Sequence, residues 1–413
     1  MKKIAFKTLG CRLNQYETDA LASQFKENGY EVSQNVDGAD VIVVNSCTVT
    51  NQSNQKSRNI ISRVSKLNSS AKVVITGCMT VSHKESLQER FPNAIIIDNQ
   101  SKSGIFYAVD SLLKTGNINL SNIDHDLFSY KSFTEIFHTR SLIKIQDGCD
   151  NFCSYCIIPF VRGSAISRPF DKIIDNVREV LEKGAKEIVL TGVNISRYEY
   201  AGIYFSSLLE KILNVEGTFR VRISSVEPDN IDNKFVSLIG HPRLAPHLHL
   251  CLQSGSDKVL SQMKRMYSVG EFLSIVEKIR KKDVLFNFTT DIMVGFPDET
   301  DEDFTETMKI ARQVGFGFMH IFKYSIRQGT KAELMNNQIS GKLKQDRSQI
   351  MHSLAAELTE KYRKQFDNTI QRILIEKWQN GIASGYNDYY VPMKFETTDN
   401  RLNRFEIVKA KLI

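Results

Sequence analysis

The 413-residue chain lacks several features that would place it in a special class of protein. It has no apolar run near the roughly 20 residues that a membrane-spanning helix needs, and Lys7 interrupts its amino terminus before a secretory signal can form. Only 8 prolines and 22 glycines argue against a collagen-like or low-complexity chain. We therefore expect a cytoplasmic protein with a packed core and no membrane partner.

The chain also has little excess charge of one sign. Its 54 basic and 47 acidic residues leave a net charge of +7, which permits a polyanionic partner without requiring one. Its 7 cysteines are an odd number, and a reducing compartment disfavours disulfides. Clustered cysteines are therefore better explained as metal ligands or reactive thiols.

Short apolar runs alternate with helical patterns at the start of the chain, which is typical of a parallel sheet with crossover helices. Strands are predicted over residues 3–8, 40–46, 72–77 and 94–98. This pattern predicts a doubly wound α/β domain over residues 1–118. Polar residues dominate from 116 to 139, where we place the connection to a second domain.

A second βα alternation predicts a domain over residues 135–366. Its strands are expected over residues 142–146, 187–192, 219–225, 247–252, 286–295 and 319–325, with a last helix near 349–366. Six βα units suit a partial or complete barrel, whose chemistry lies in the loops at the carboxyl ends of the strands. Three β-rich segments then predict a small β-barrel over residues 367–413.

Three cysteines stand in one short loop after the first strand of the second domain. Cys149, Cys153 and Cys156 form a Cys-x3-Cys-x2-Cys pattern. Three thiolates can hold three irons of a cubane cluster and leave the fourth iron open to a ligand that is not protein. The alternative is a zinc site, but structural zinc needs four ligands and the loop holds no fourth Cys or His, His138 being the nearest before it.

Three further cysteines each follow a predicted strand of the first domain. Cys11, Cys47 and Cys78 should all emerge at the carboxyl edge of a parallel sheet, where open α/β sheets bind ligands. A free cysteine is often simply buried, but three at equivalent strand ends favour one shared site. Cys251 lies within an apolar run and is expected to be a packing residue.

These residues resemble those of the radical S-adenosylmethionine methylthiotransferases over nearly the whole chain. The three-cysteine loop with Tyr155 is similar to the radical-SAM signature, and the amino-terminal trio is similar to the family's ligands for an auxiliary cluster. The β-rich tail resembles a TRAM domain, an RNA-binding module. The resemblance implies a central (β/α)6 radical-SAM partial barrel between a doubly wound domain and a TRAM-like barrel.

The resemblance also implies the cofactors: two 4Fe–4S clusters and S-adenosylmethionine, as methyl donor and as radical source. It implies that Cys149, Cys153 and Cys156 hold the radical-SAM cluster, and that Cys11, Cys47 and Cys78 hold the auxiliary cluster. The residues predicted to contact S-adenosylmethionine lie at or near strand ends and are Tyr155, Gly192, Asn194, Ser225, Glu227, Gln253 and Asp291. Thr300 with Asp303 also suits a helix cap, so not every motif residue needs a ligand.

The implied substrate is a tRNA anticodon stem-loop, whose target base can be splayed out at modest cost. Four basic residues in or near motif loops are candidates for contacts to phosphate or carboxylate, namely Arg162, Arg168, Lys323 and Arg327, although structural ion pairs explain them equally well. Tyr386, Tyr389 and Tyr390 are candidates for base stacking or for core packing. An electron donor such as flavodoxin or ferredoxin is the implied protein partner.

The wording around the first two cysteines most resembles the branch that adds a methylthio group to C2 of N6-threonylcarbamoyladenosine at position 37. The alternatives are the branch acting on N6-isopentenyladenosine in tRNA and the branch acting on an aspartate of a ribosomal protein. A more distant alternative is a metal-containing RNA-binding protein without catalysis. Relatives commonly carry proline at the position of Cys251. This difference bears on the local backbone shape and not on the chemistry.

Overall fold

The structure is a computed structural model of the chain and describes residues 1–68, 70–118, 126–129 and 139–413. The predicted connection at 116–139 and His138 thus lie largely or wholly outside the described residues. The chain forms two units. The first comprises Met1–His138, Leu142–Asp150 and Ile157–Arg168, and the second comprises Thr139–Ser141, Asn151–Cys156 and Pro169–Ile413.

The first unit is built on a parallel five-stranded sheet in the order β2-β1-β3-β4-β5. The strands up to Ser167 are β1 Lys3–Thr8, β2 Glu31–Ser33, β3 Val41–Ser46, β4 Lys72–Gly77, β5 Ile95–Ile96, β6 Ser141–Lys144, β7 Gln146–Asp147 and β8 Ile166–Ser167. The helices are α1 Arg12–Glu27, α2 Asn51–Leu67, α3 Cys78–Ser82, α4 Lys84–Arg90, α5 Ile105–Thr115 and α6 Ile158–Arg162.

Helices cover both faces of this sheet, as the strand alternation requires. Ile42 and Val44 pack with Ile61 of α2 in one buried layer. On the other face Phe6 meets Phe25 of α1, whose ring lies in turn against an aromatic side chain of α5. The doubly wound arrangement expected from the sequence is therefore confirmed.

The second unit contains the other predicted strands of the barrel domain. Its strands are β9 Glu187–Thr191, β10 Glu199–Tyr200, β11 Ile203–Tyr204, β12 Arg220–Ile223, β13 His247–His249, β14 Asn287–Val294, β15 Phe318–Lys323, β16 Thr369–Gln379, β17 Ile382–Asn387, β18 Pro392–Glu396 and β19 Phe405–Leu412. Its helices are α7 Phe170–Glu182, α8 Phe205–Leu213, α9 Asn233–Leu238, α10 Asp257–Gln262, α11 Val269–Arg280, α12 Asp301–Val314 and α13 Gly341–Lys364.

The barrel strands of the second unit lie side by side and parallel. β9 pairs with β12, β13 with β14, and β14 with β15, while single bridges at Val221 and Val226 link the two sets. Helices follow the strands, so the predicted parallel β/α architecture is confirmed. Helix α12 begins with a capping box between Thr300 and Asp303, as the sequence indicates.

The tail forms a closed barrel of four antiparallel strands, β16-β17-β18-β19. The middle β-rich segment of the sequence splits into β17 and β18, because the turn between Asn387 and Val391 reverses the chain. Gly385 allows β17 to approach β16, since a Cβ there would lie 1.8 Å from the Leu374 carbonyl oxygen. No helix in the described residues is long and apolar enough to span a bilayer.

The tail barrel packs against the barrel strands within the second unit. The ring of Tyr390 lies 4.8 Å from that of His247, and the Arg222 guanidinium lies 4.5 Å from the centre of the same tyrosine ring. Asn287 donates a hydrogen bond to the Tyr389 carbonyl oxygen at 2.7 Å. These contacts favour the packing explanation for both tyrosines.

Candidate functional site

The three amino-terminal cysteines follow neighbouring strands at one edge of the first unit's sheet. The register pairs Thr8 with Asn45 and Ser46 with Gly77 across parallel strands, so β1, β3 and β4 end at the same level. Cys47 and Cys78 come directly after β3 and β4, and Cys11 follows β1 after a two-residue turn. The strand pattern therefore brings these three cysteines to one edge.

Two glycines allow this close approach. Gly10 has a φ of +94°, and a Cβ on it would lie 2.7 Å from the Cβ and 2.8 Å from the Sγ of Cys47. Gly77 has a φ of +96°, and a Cβ on it would lie 2.3 Å from the Ser46 carbonyl oxygen. A side chain at either position would clash, so glycine before the cysteine is required by the packing of the strand ends.

The thiols lie in different surroundings. Cys47 and Cys78 are buried, and Cys11 is exposed. Burial raises the pKa of the Cys47 and Cys78 thiols, and the charges of Arg162 and Lys102 oppose this for Cys78. Cys78 also interacts electrostatically with both other thiols. One side of the trio is thus open to solvent while the rest is enclosed.

The donor chemistry of this trio suits an iron–sulfur cluster. A tetrahedral zinc with Zn–S bonds of about 2.3 Å holds its sulfurs about 3.8 Å apart. Among the described residues, the three Sγ atoms of Cys11, Cys47 and Cys78 are not all within 4.8 Å of one another. Ligands of a cubane bind different irons and stand farther apart, so three soft thiolates at one sheet edge could hold a 4Fe–4S cluster with one iron free.

A buried polar network lies beside the trio, and the sequence did not reveal it. Arg162 donates to the Asn14 side-chain oxygen at 2.8 Å, and Asn14 donates to the carbonyl oxygens of Leu9 and Ser46 at 2.8 and 3.1 Å. Those carbonyls precede Cys11 by two residues and Cys47 by one. Asn14 therefore connects a buried guanidinium to the backbone that holds two of the cysteines.

Within the first unit, Cys149 is held next to the end of α6. Its backbone N–H donates to the Gly163 carbonyl oxygen at 3.1 Å. The preceding Gly148 has a φ of +70°, and a Cβ there would lie 1.9 Å from the Ser164 carbonyl oxygen. Glycine is therefore required immediately before this cysteine as well.

In the second unit, Cys153 and Cys156 are ordered by a turn and by a cation. The Cys156 N–H donates to the Cys153 carbonyl oxygen at 3.0 Å, and Arg265 donates to the Cys153 sulfur at 3.2 Å. Burial raises the pKa of the Cys153 thiol, and the Arg265 charge opposes that effect. No sequence motif singled out Arg265, because its partner lies 112 positions away.

The predicted cofactor residues all belong to the second unit, at or near strand ends. Gly192 and Asn194 follow β9, Ser225 and Glu227 follow β12, Gln253 follows β13, Asp291 lies in β14, and Tyr155 lies between two cluster cysteines. Glu227 accepts a hydrogen bond from Asn151 at 2.6 Å and pairs with Arg265 at 3.1 Å. Gln253 adopts a φ of +64°. Their contacts with S-adenosylmethionine stay predictions.

The four basic residues predicted to contact the substrate differ in their burial. Arg162 and Arg168 are buried in the first unit, and Arg162 pairs with Glu17 and Asp147. In the second unit Arg327 is also buried, whereas Lys323 is exposed and donates to Gln345. Burial counts against RNA contacts by the three arginines, and Arg162 has the structural ion pair that the sequence left open.

Comparison with known proteins identifies the family. Residues 3–98 match the uncharacterized protein family UPF0004, and residues 143–311 match the radical SAM superfamily. The threonylcarbamoyladenosine tRNA methylthiotransferase of Thermotoga maritima is 36% identical over 415 residues, which cover 100% of this chain and 95% of that protein. The chain belongs to the radical S-adenosylmethionine methylthiotransferase family. Two 4Fe–4S clusters and S-adenosylmethionine are its cofactors.

A further relative and a solved structure show how far this likeness extends. The tRNA-2-methylthio-N(6)-dimethylallyladenosine synthase of Endomicrobium trichonymphae is 32% identical, with 91% of this chain and 89% of that protein covered. The radical S-adenosylmethionine methyltransferase TsrM of Kitasatospora setae has a TM-score of 0.60 at 13% identity, covering 93% of this chain and 81% of that one. The TsrM likeness supports the fold alone.

Proposed function

We propose that this protein adds a methylthio group to C2 of N6-threonylcarbamoyladenosine at position 37 of tRNA. The observation that carries the proposal is the meeting of Cys11, Cys47 and Cys78 at one sheet edge of a chain that also has the three-cysteine loop. The Thermotoga relative, named for this nucleoside, supports the choice of base with 36% identity over the full length. We place the reaction in the cytoplasm, where tRNA is modified.

The chain's residues divide the work between two sites. Cys149, Cys153 and Cys156 would hold the cluster that binds S-adenosylmethionine, and the amino-terminal trio would hold the auxiliary cluster. When bound, these groups supply the radical that activates the C–H bond and the sulfur that replaces the hydrogen. Adenine C2 has no leaving group, so acid–base or nucleophilic side chains offer no easy alternative route.

The second unit's side chains would bind and orient the cofactor. Arg265 places a cation on the Cys153 sulfur and also fixes Glu227, whose carboxylate therefore has a defined position at the end of β12. We propose that Glu227, Gln253 and the loop after β9 contact S-adenosylmethionine. The tail barrel over residues 367–413 and the exposed Lys323 would contact the anticodon stem-loop, and flavodoxin or ferredoxin would supply electrons.

The test is anaerobic incubation of the reconstituted enzyme with three anticodon stem-loops, followed by mass spectrometry of the nucleosides. The RNAs carry N6-threonylcarbamoyladenosine, N6-isopentenyladenosine or unmodified adenosine at position 37. We expect the methylthio product on the first RNA alone. Product on the isopentenylated RNA, as the name of the 32% identical relative would suggest, would instead assign that substrate.

Cysteine variants test the two sites separately. We expect Cys149→Ala to abolish cleavage of S-adenosylmethionine, and Cys47→Ala to retain some cleavage but to lose product. Equal loss of both activities in two folded variants would contradict separate roles. Modification of a ribosomal-protein aspartate, or zinc in place of about eight irons in anaerobically purified protein, would each defeat the proposal in favour of its alternatives.

A further inference from the structure

A third group of possible metal ligands lies at the end of β13 and in β14 of the second unit, and it contains none of the six cluster cysteines. Leu248, Leu250 and Leu252 are buried on one face of the β13 segment, so the alternating His249 and Cys251 point to the other face. His249 is registered with Thr289 on the neighbouring strand. Asp291, two residues further along β14, therefore shares this second face.

The three donor side chains lie within bonding range of a single ion. His249 Nε2 or Nδ1, Cys251 Sγ and an Asp291 carboxylate oxygen are all within 4.8 Å of one another. His249 Nε2 and Asp291 Oδ1 are 3.4 Å apart, which is longer than the 2.7–2.9 Å of a strong charge-assisted hydrogen bond. That separation matches the edge of a tetrahedron with bonds of about 2.05 Å, the Zn–N and Zn–O length.

The surrounding contacts prepare the histidine for this role. His249 Nδ1 and the Thr289 hydroxyl form a hydrogen bond of 3.0 Å, which orients the ring and directs Nε2 towards Asp291. Metal-binding histidines are usually held in this way through the nitrogen that does not bind the metal. The side chains of His249 and Asp291 are 13% and 27% exposed, so an ion can reach them from solvent.

The local charge also favours a cation. The carboxylates of Asp291 and Glu227 act on the Cys251 thiol electrostatically, and the charge of Arg265 opposes them. A divalent ion would offset the carboxylates and stabilise the thiolate.

We propose that His249, Cys251 and Asp291 form a binding site for one Zn²⁺ ion. A mixed nitrogen, sulfur and oxygen set suits a borderline-soft ion and excludes Mg²⁺ and Ca²⁺, which take oxygen ligands. Three protein ligands leave the fourth position open. His320 is registered with Asp291, but it is not among the donors that lie within 4.8 Å of one another.

This site stands apart from the proposed function because it uses none of the six cluster cysteines. It gives Asp291 a different partner from the S-adenosylmethionine contact predicted from the sequence. It also gives Cys251 a role other than packing. The proposal can therefore be tested by measuring zinc binding, without measuring methylthio transfer.

The experiment titrates Zn²⁺ into the anaerobic holoenzyme, with both clusters built, in competition with a chromophoric chelator. Iron is measured before and after, so that zinc replacing cluster iron is detected. We expect one tightly bound zinc per chain with the iron content unchanged. Cys251→Ala and His249→Gln should each weaken binding at least about 100-fold, because each removes a direct ligand.

The matched control is His352→Gln, which changes an exposed histidine on α13. It should bind zinc as the wild type does. Cys251→Ser, nearly isosteric with the thiol, separates loss of the ligand from loss of packing, and it should also bind weakly. Wild-type protein that takes up no zinc with its iron intact, or Cys251→Ala protein that binds as tightly as wild type, would overturn the proposal.

Discussion

Each of the two units contains a buried ionic network, and the two networks differ in how far they are exposed to solvent. In the first unit Lys102, Lys144 and Arg162 surround Glu17 and Asp147, and all five side chains are at most 2% exposed. In the second unit four arginines meet three carboxylates. These are Arg140, Arg220, Arg222 and the partly exposed Arg372 with Glu187, Glu376 and Asp388.

The first network keeps one positive charge in excess, because three cations share two carboxylates. Its Arg162 is linked through Asn14 to the backbone before Cys11 and Cys47. A buried cation near three thiolates lowers the cost of their negative charge. The position of the excess charge is therefore consistent with a site that must hold several thiolates.

The second network lies where the tail barrel packs against the barrel strands. It also has one more cation than carboxylates, but its Arg372 is 33% exposed, so solvent screens the excess charge. Arg220 pairs with Asp388 at 2.6 Å, and Arg140 pairs with Glu376 at 2.6 Å, so two of its carboxylates come from the tail. These two are 24% and 20% exposed. The comparison teaches that one network sets the charge beside a site, whereas the other specifies how two barrels pack.

The largest effect is expected for Glu17→Gln. It leaves three buried cations with Asp147 as their one carboxylate, and breaking a buried pair in this way costs about 3–5 kcal/mol. Native-state hydrogen exchange of the α1 amides measures the loss. Glu27→Gln, an exposed position on the same helix, is the control. Equal protection of the α1 amides in Glu17→Gln and Glu27→Gln would show that Glu17 does not stabilise the first network.

A smaller effect, about 3 kcal/mol, is expected for Glu187→Gln. Its arginines keep the two partly exposed carboxylates of the tail, so a larger share of the cations stays paired than in the first network. Exchange of the β9 and β12 amides should increase, while α1 stays protected. The exposed Glu216→Gln serves as the reference variant. Increased exchange in α1 as well would contradict the independence of the two networks.

Arg162→Gln should cost less again, about 2 kcal/mol, because it leaves Lys102 and Lys144 balanced by Glu17 and Asp147. The variant also removes the excess charge beside the trio. We expect the reduction potential of the auxiliary cluster to fall in Arg162→Gln and to rise in Glu17→Gln. Redox titration monitored by electron paramagnetic resonance measures both potentials. Shifts of the same sign in both variants would show that structure, not charge, is responsible.

The smallest effect is a dependence on pH. Buried cations lower the pKa of Glu17 and of Glu187 in the folded chain despite the opposing effect of burial. A lowered folded pKa means that the stabilisation is present above the ordinary glutamate pKa of about 4.3 and is lost as pH falls below it. The stability gap between wild type and either glutamine variant should therefore narrow by about 0.6 kcal/mol between pH 7 and pH 4 in cluster-free protein.

A gap that stays constant between pH 7 and pH 4 would contradict the lowered pKa values. Hydrogen exchange of the same amides, measured at several pH values, gives the stability of each protein and decides between these outcomes. Because glutamine imitates a protonated glutamate, the variants themselves should show little of this dependence.

Much of the fold could be predicted because local pattern and final position agree. β1 and β4 occur at the predicted residues, since continuous apolar runs suit strands buried on both faces. β2 was missed because Glu31–Ser33 is short and partly exposed. Helix α2 begins at Asn51 because the side chain of Thr50 accepts a hydrogen bond from the Ser53 N–H and caps it.

The sequence alone determined which cysteines could share an edge, since the carboxyl ends of parallel strands meet whatever the remaining packing is. It could not determine the partners of Arg162, because Glu17 and Asn14 lie 145 and 148 positions away along the chain. It could not place Cys251 beside Asp291 for the same reason. Tertiary structure decided these contacts, because ion pairs and metal ligands depend on side chains that only the folded chain brings within a few ångströms.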